Sequence, residues 1–187
     1  MDFFEFILII TSVIYALCMA PLLSGFVRLL QFDGEIRHFL PQAVFSLYLF
    51  ILVPMLWWTI WFLRDADWQF ATYLYVIIEP AILFIACSLI FPQRLDGHSY
   101  SLEDHYHKIR VPLLTSLFIM SVLAFADGVV IGAEAIWHER RYVQILSLVV
   151  LAWALIDRRN IAQYAVAFTG LFTSGALFVF WFWLPPG

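Results

Sequence analysis

Charge is what this 187-residue sequence has least of, at 13% Asp, Glu, Lys and Arg. Soluble domains carry about 25%. Lys and Arg number 10 against 14 Asp and Glu, and no basic run occurs. A phosphate-binding surface needs clustered cations, so nucleic acid is excluded as a partner. Cysteine is also scarce. Cys18 and Cys87 each lie inside an apolar stretch, with neither a metal-ligand spacing nor a disulfide framework, and both are expected to pack as free thiols. No nucleophile elbow, Walker loop or HExxH motif is present, so no enzymatic activity is expected. The N-terminus, Met1-Asp2-Phe3-Phe4-Glu5, lacks the positive charge of a signal peptide. Its first apolar stretch is therefore expected to stay as a helix.

Apolar residues are abundant, at 64% of the chain. A soluble fold of this length cannot bury so much apolar surface, and the excess must face lipid. A spanning helix takes about 20 mostly apolar residues. Six segments meet or approach that length: Phe3–Leu23, Pro41–Leu63, Phe70–Phe91, Val111–Ala135, Tyr142–Ile156 and Ile161–Leu184. The expected fold is all-α, a single polytopic transmembrane bundle over residues 1–187 with six spanning helices. The fifth segment is short, and a five-helix alternative makes it re-entrant. In general character the chain resembles small inner-membrane proteins of bacteria, which sets its expected location.

Loops 1, 3 and 5 hold seven Lys and Arg (Arg28, Arg37, Arg94, Lys108, Arg110, Arg158, Arg159), against three (Arg64, Arg140, Arg141) on the opposite side. The positive-inside rule then places loops 1, 3 and 5 in the cytoplasm and both termini outside. Trp57, Trp58, Trp61 and Trp68 gather at one end of helices 2 and 3, with Trp181 and Trp183 closing helix 6. They are expected to form an interfacial belt, with a ligand-stacking cage as the alternative.

Two acids stand inside spanning segments: Glu79 before Pro80 and Asp127 before Gly128. Counted from the expected helix ends, each lies about nine residues, or about 13 Å, below the outer boundary. No Lys or Arg shares that level. Thr11, Ser12 and Tyr15 in helix 1 and Thr173 in helix 6 reach a similar depth. Carboxylates in low dielectric take up protons, and a proline frees a backbone carbonyl one turn earlier, here that of Val76. Together these groups would bind a proton or small cation. The competing reading is a protonated acid that simply bonds a neighbouring helix.

Loop 3, residues 92–110, concentrates His98, Asp104, His105 and His107, which could hold a divalent metal; no other cofactor is expected. Against the metal, His105 and His107 would point about 200° apart on a helix. Ser101 followed by Asp104 reads as a helix N-cap, leading to a short helix before Pro112 opens helix 4. The leading function is a channel, transporter or sensor for protons or small cations, and the bundle's small size implies a homo-oligomer. An accessory subunit docking a partner through loop 3 is second. A metal-dependent enzyme at the membrane interface is third.

Overall fold

The structure, a computed structural model, describes residues 3–64, 68–95, 97–130 and 140–183. Six helices carry the fold: α1 (Phe3–Leu30), α2 (Leu40–Thr59), α3 (Phe70–Leu89), α4 (Leu102–Val130), α5 (Arg140–Ile156) and α6 (Asn160–Trp183). A 3-10 turn over Ile60–Leu63 extends α2. Two short strands, β1 (Glu35–Arg37) and β2 (Ser99–Ser101), pair in parallel and tie the α1–α2 connection to the α3–α4 connection. Gly97 enters that pairing with φ +89°, a conformation open to glycine because it has no Cβ.

The helices close into a ring in the order α1, α3, α4, α5, α6, α2, and α2 returns to α1. α2 also touches α3 and α4, which brings it toward the middle. Small side chains permit these close approaches: Cys18, Ala86, Cys87, Ala154, Ala162 and Ala167 are fully buried. In membrane bundles such residues let backbones approach and replace the hydrophobic drive that lipid removes. The outward faces are apolar. Ile9, Val13 and Leu17 on α1, Ile145 and Val149 on α5, and Phe168 and Phe172 on α6 are all exposed. Soluble monomers rarely expose contiguous apolar patches above a few hundred Å². Among the described residues, four helices are long and apolar enough to cross a membrane: Phe4–Leu30, Leu40–Thr59, Phe70–Leu89 and Leu102–Ala126.

Helix α3 begins at Phe70, as its sequence pattern expects. Helix α5 starts at Arg140, slightly ahead of its apolar run, and ends at Ile156 as expected. Loop 3 differs from the expectation. It does not run to Arg110, because α4 starts at Leu102 and continues unbroken through Pro112. The Ser101 cap is present, with its Oγ accepting from the Asp104 N–H at 3.2 Å. A proline inside a helix costs about 3 kcal/mol. Tertiary contacts offset it here, since His105, Tyr106 and Arg110 in the first turns of α4 are bonded to α3, α6 and α5.

Candidate functional site

Glu79 lies nine residues from the start of α3 and ten from its end, at the middle of a helix about 30 Å long. The buried stripe of α3 contains Thr72, Val76, Pro80 and Leu83, and Glu79 sits half-buried on its flank. Tyr75, one turn earlier on the same side, donates its hydroxyl to the Leu123 carbonyl of α4. Glu79 thus belongs to the seam between α3 and α4.

That same bond fixes the register of the seam. The two helices are antiparallel, for at the other end His105 of α4 bonds the Leu89 carbonyl of α3 at 3.1 Å. Glu79 is four residues past Tyr75, and Asp127 is four past Leu123 in the opposite direction. The pair is therefore offset by about eight residues of helix rise, about 12 Å. The sequence count places both acids at one level because it measures Glu79 from Phe70 and Asp127 from an expected helix end near Ile136. Helix α4 is described only to Val130, and the tyrosine contact sets the depth instead. Asp127 has helical backbone, and its side chain lies outside the described residues.

Helix α1 runs parallel to α3, with the Cys18 thiol donating to the Pro80 carbonyl at 3.3 Å. Both cysteines are free and buried. Tyr15, buried one turn before Cys18, comes to within a few ångströms of the level of Glu79 along the axis. Thr11 lies a further turn away, and its hydroxyl donates to the Ile7 carbonyl at 2.8 Å. Ser12 donates to the Leu8 carbonyl at 2.6 Å and accepts from the Trp57 indole at 2.8 Å. Trp57 thereby ties the end of α2 to α1; Trp57, Trp58 and Trp61 are all exposed. The side chains of Trp181 and Trp183 lie outside the described residues.

Thr173 is elsewhere. It lines a partly enclosed cavity of about 50 Å³ between α2, α4, α5 and α6, together with Tyr48, Ser121, Ser147 and Thr169. Among the described residues, none of α1 or α3 lines that cavity. The structure thus brings Tyr15 and Glu79 to one level and sets Thr173 in a separate chamber.

The loop-3 residues do not converge. His105 bonds the carbonyl at the end of α3, and Asp104 stands exposed in the first turn of α4. His107 lies 3.9 Å from Glu103 and 5.8 Å from the Phe39 ring, centroid to centroid. The His98 backbone carbonyl accepts from the Glu35 N–H. Among the described residues no group of three His, Cys, Asp or Glu side chains is placed to hold a metal; Asp96 lies outside them.

Sequence reasoning missed a polar network at the loop-3 side of the bundle. Arg110, 4% exposed, donates from Nη1 to the Ala154 carbonyl at 2.6 Å, with the Leu155 and Asp157 carbonyls at 3.4 Å. Gln163 donates to the Ala154 and Asp157 carbonyls at 3.1 and 3.0 Å and accepts from the Tyr106 hydroxyl at 2.8 Å. Gln42 donates to the Ile90 carbonyl at 2.6 Å. The last carbonyls of a helix have no partner within it, and here α2, α4 and α6 supply donors to the ends of α3 and α5. The available signal was a Gln or Arg within an otherwise apolar helix. No family model, curated protein or solved structure matches the chain. The class rests on the fold alone: a helical bundle in which, among the described residues, four helices are long and apolar enough to cross a membrane.

Proposed function

We propose that the protein is a six-helix membrane protein that binds and moves protons or small cations, with Glu79 as its binding acid. The observation that carries this reading is the position of Glu79: mid-helix, half-buried on the α3–α4 seam and followed by Pro80. A carboxyl at mid-span is expensive and marks a functional position by default. The proline leaves the Val76 carbonyl without its helical donor, one turn from Glu79 and able to share a cation with it. The offset of Asp127, about 12 Å along the axis, takes it out of a joint site with Glu79 and leaves Glu79 as the binding acid.

The six-span reading is supported by α5 and α6. At 17 residues, α5 is about 26 Å long. It packs between α4 and α6 as a continuous helix with an apolar outer face, unlike a re-entrant segment. Loops 1, 3 and 5 would face the cytoplasm of a bacterial cell, with both termini outside. Assembly of several copies would complete a pathway that one small bundle does not supply. Gly175 on α6 offers an open surface for close contact, since a Cβ there meets nothing within 4 Å.

The test is flux from liposomes containing the purified protein, for H⁺, Na⁺ and K⁺, comparing native protein with Glu79→Gln and Asp127→Asn. Glu79→Gln is expected to reduce flux at least tenfold while the unfolding midpoint holds. Native flux that Glu79→Gln leaves intact, or no flux of any of these ions, would sink the proposal. The second reading, a non-catalytic accessory subunit docking a partner through residues 92–110, draws on the β1–β2 pairing. That pairing gives the connecting loops a fixed shape at one end of the bundle.

A further inference from the structure

The chamber between α2, α4, α5 and α6 has a chemical character of its own. Three of its hydroxyls already donate to carbonyls of their own helices: Ser121 to Leu117 at 2.9 Å, Ser147 to Val143 at 3.0 Å and Thr173 to Gly170 at 3.0 Å. A hydroxyl has one proton and two lone pairs. With the proton engaged, each oxygen accepts and does not donate. The three residues come from three different helices and line one space.

The rest of the lining narrows the ligand further. No Asp, Glu, Lys, Arg or His is among the described lining residues, so nothing there matches the charge of a divalent ion or an anion. Phe45 and Tyr48 contribute aromatic rings whose centroids are 6.4 Å apart at 69°. Aromatic faces attract cations, more strongly once the cation has left water. The volume, about 50 Å³, is roughly a third of an engineered cavity that takes benzene. It suits a solute of very few heavy atoms.

We infer that this chamber binds a small solute bearing its own N–H donors, of ammonium or methylammonium size, held by Ser121, Ser147 and Thr173 against the rings of Phe45 and Tyr48. The site shares no described lining residue with α1 or α3, so it stands or falls separately from the Glu79 reading.

The experiment is the thermal unfolding midpoint of the purified protein in nanodiscs, titrated with ammonium or methylammonium chloride at constant ionic strength. Sodium and tetramethylammonium chloride serve as comparison salts. A saturable rise with the first two, absent with tetramethylammonium, which has no N–H, and at least tenfold weaker with sodium, is the expected result. Thr173→Val preserves shape while removing an acceptor, and should weaken half-saturation at least tenfold. Gly170→Ala tests the same space without a clash, because its Cβ would sit 3.5 Å from the Tyr48 ring. It should abolish the response in a protein that unfolds no earlier than native. Gly175→Ala, facing open space, should change neither the response nor its half-saturation. An equal response to sodium, no saturable response, or a response that survives both Thr173→Val and Gly170→Ala would overturn the inference.

Discussion

Replacing Arg110 by Met is expected to lower the unfolding free energy by about 3 kcal/mol. A charged hydrogen bond contributes about 1.5–3 kcal/mol, and a cation at a partly buried helix C-terminus adds up to about 2 kcal/mol through the helix dipole. Met restores part of the apolar packing of the stem, which keeps the sum near the middle of that range. Arg110 joins α4 to the end of α5, and Gln163 reaches the same Ala154 carbonyl from α6. Arg110→Met and Gln163→Leu should therefore be non-additive, as residues sharing a partner are. Arg110→Lys keeps the charge but not the fork of donors, so its loss should be about half. Equilibrium unfolding in mixed micelles, with a double-mutant cycle, measures all of this. A change under about 0.5 kcal/mol for Arg110→Met would show that the network is incidental, since that is the range of ordinary surface substitutions.

The second large effect is expected at Gly25, where α1 meets Phe91, just past the end of α3. A Cβ on Gly25 would lie 2.5 Å from Cβ, Cγ and Cδ2 of Phe91. Phe91 Cβ is fixed to the backbone, and rotating the ring does not clear it. The two segments must separate. Overpacking costs about 1–3 kcal/mol, and Gly25→Val should reach the top of that range. Gly25→Ala should cost less, because alanine regains about 1 kcal/mol of helix propensity. Phe91→Ala removes two of the three clashing atoms but opens a cavity of its own. Gly25→Val and Phe91→Ala together should therefore cost less than the sum of the two alone, which separates a steric clash from a general effect of valine in α1. The unfolding midpoints of the single and double variants decide the matter. A Gly25→Val protein as stable as native would mean that α1 and Phe91 do not approach this closely.

Much of the architecture was legible because bilayer thickness and helix rise convert directly into segment length. The apolar run starting at Phe70 carries its own boundary. The Ser101 cap was legible for the same local reason, a hydroxyl three residues before an N–H. The start of α4 was not. Pro112 is a local signal to break a helix, and His105, Tyr106 and Arg110 override it through partners at Leu89, Gln163 and Ala154, remote in sequence. The two histidines of the expected metal cluster diverge for a reason that helical geometry did give: residues two apart do not face each other.

The candidate site divides in the same way. The sequence by itself determined that Glu79 stands mid-helix in an apolar segment, because composition and a rise of about 1.5 Å fix depth within one helix. Only the tertiary structure decided the register between helices. α3 and α4 are apolar nearly all round, so neither pattern nor propensity fixes how far one slides along the other. The Tyr75–Leu123 bond does, and it separates Glu79 from Asp127. It was likewise packing, through the close approach of α6 to α2 and α5 and of α5 to α4, that gathered Ser121, Ser147 and Thr173 around one chamber. Their spacing in the chain carries no trace of that meeting.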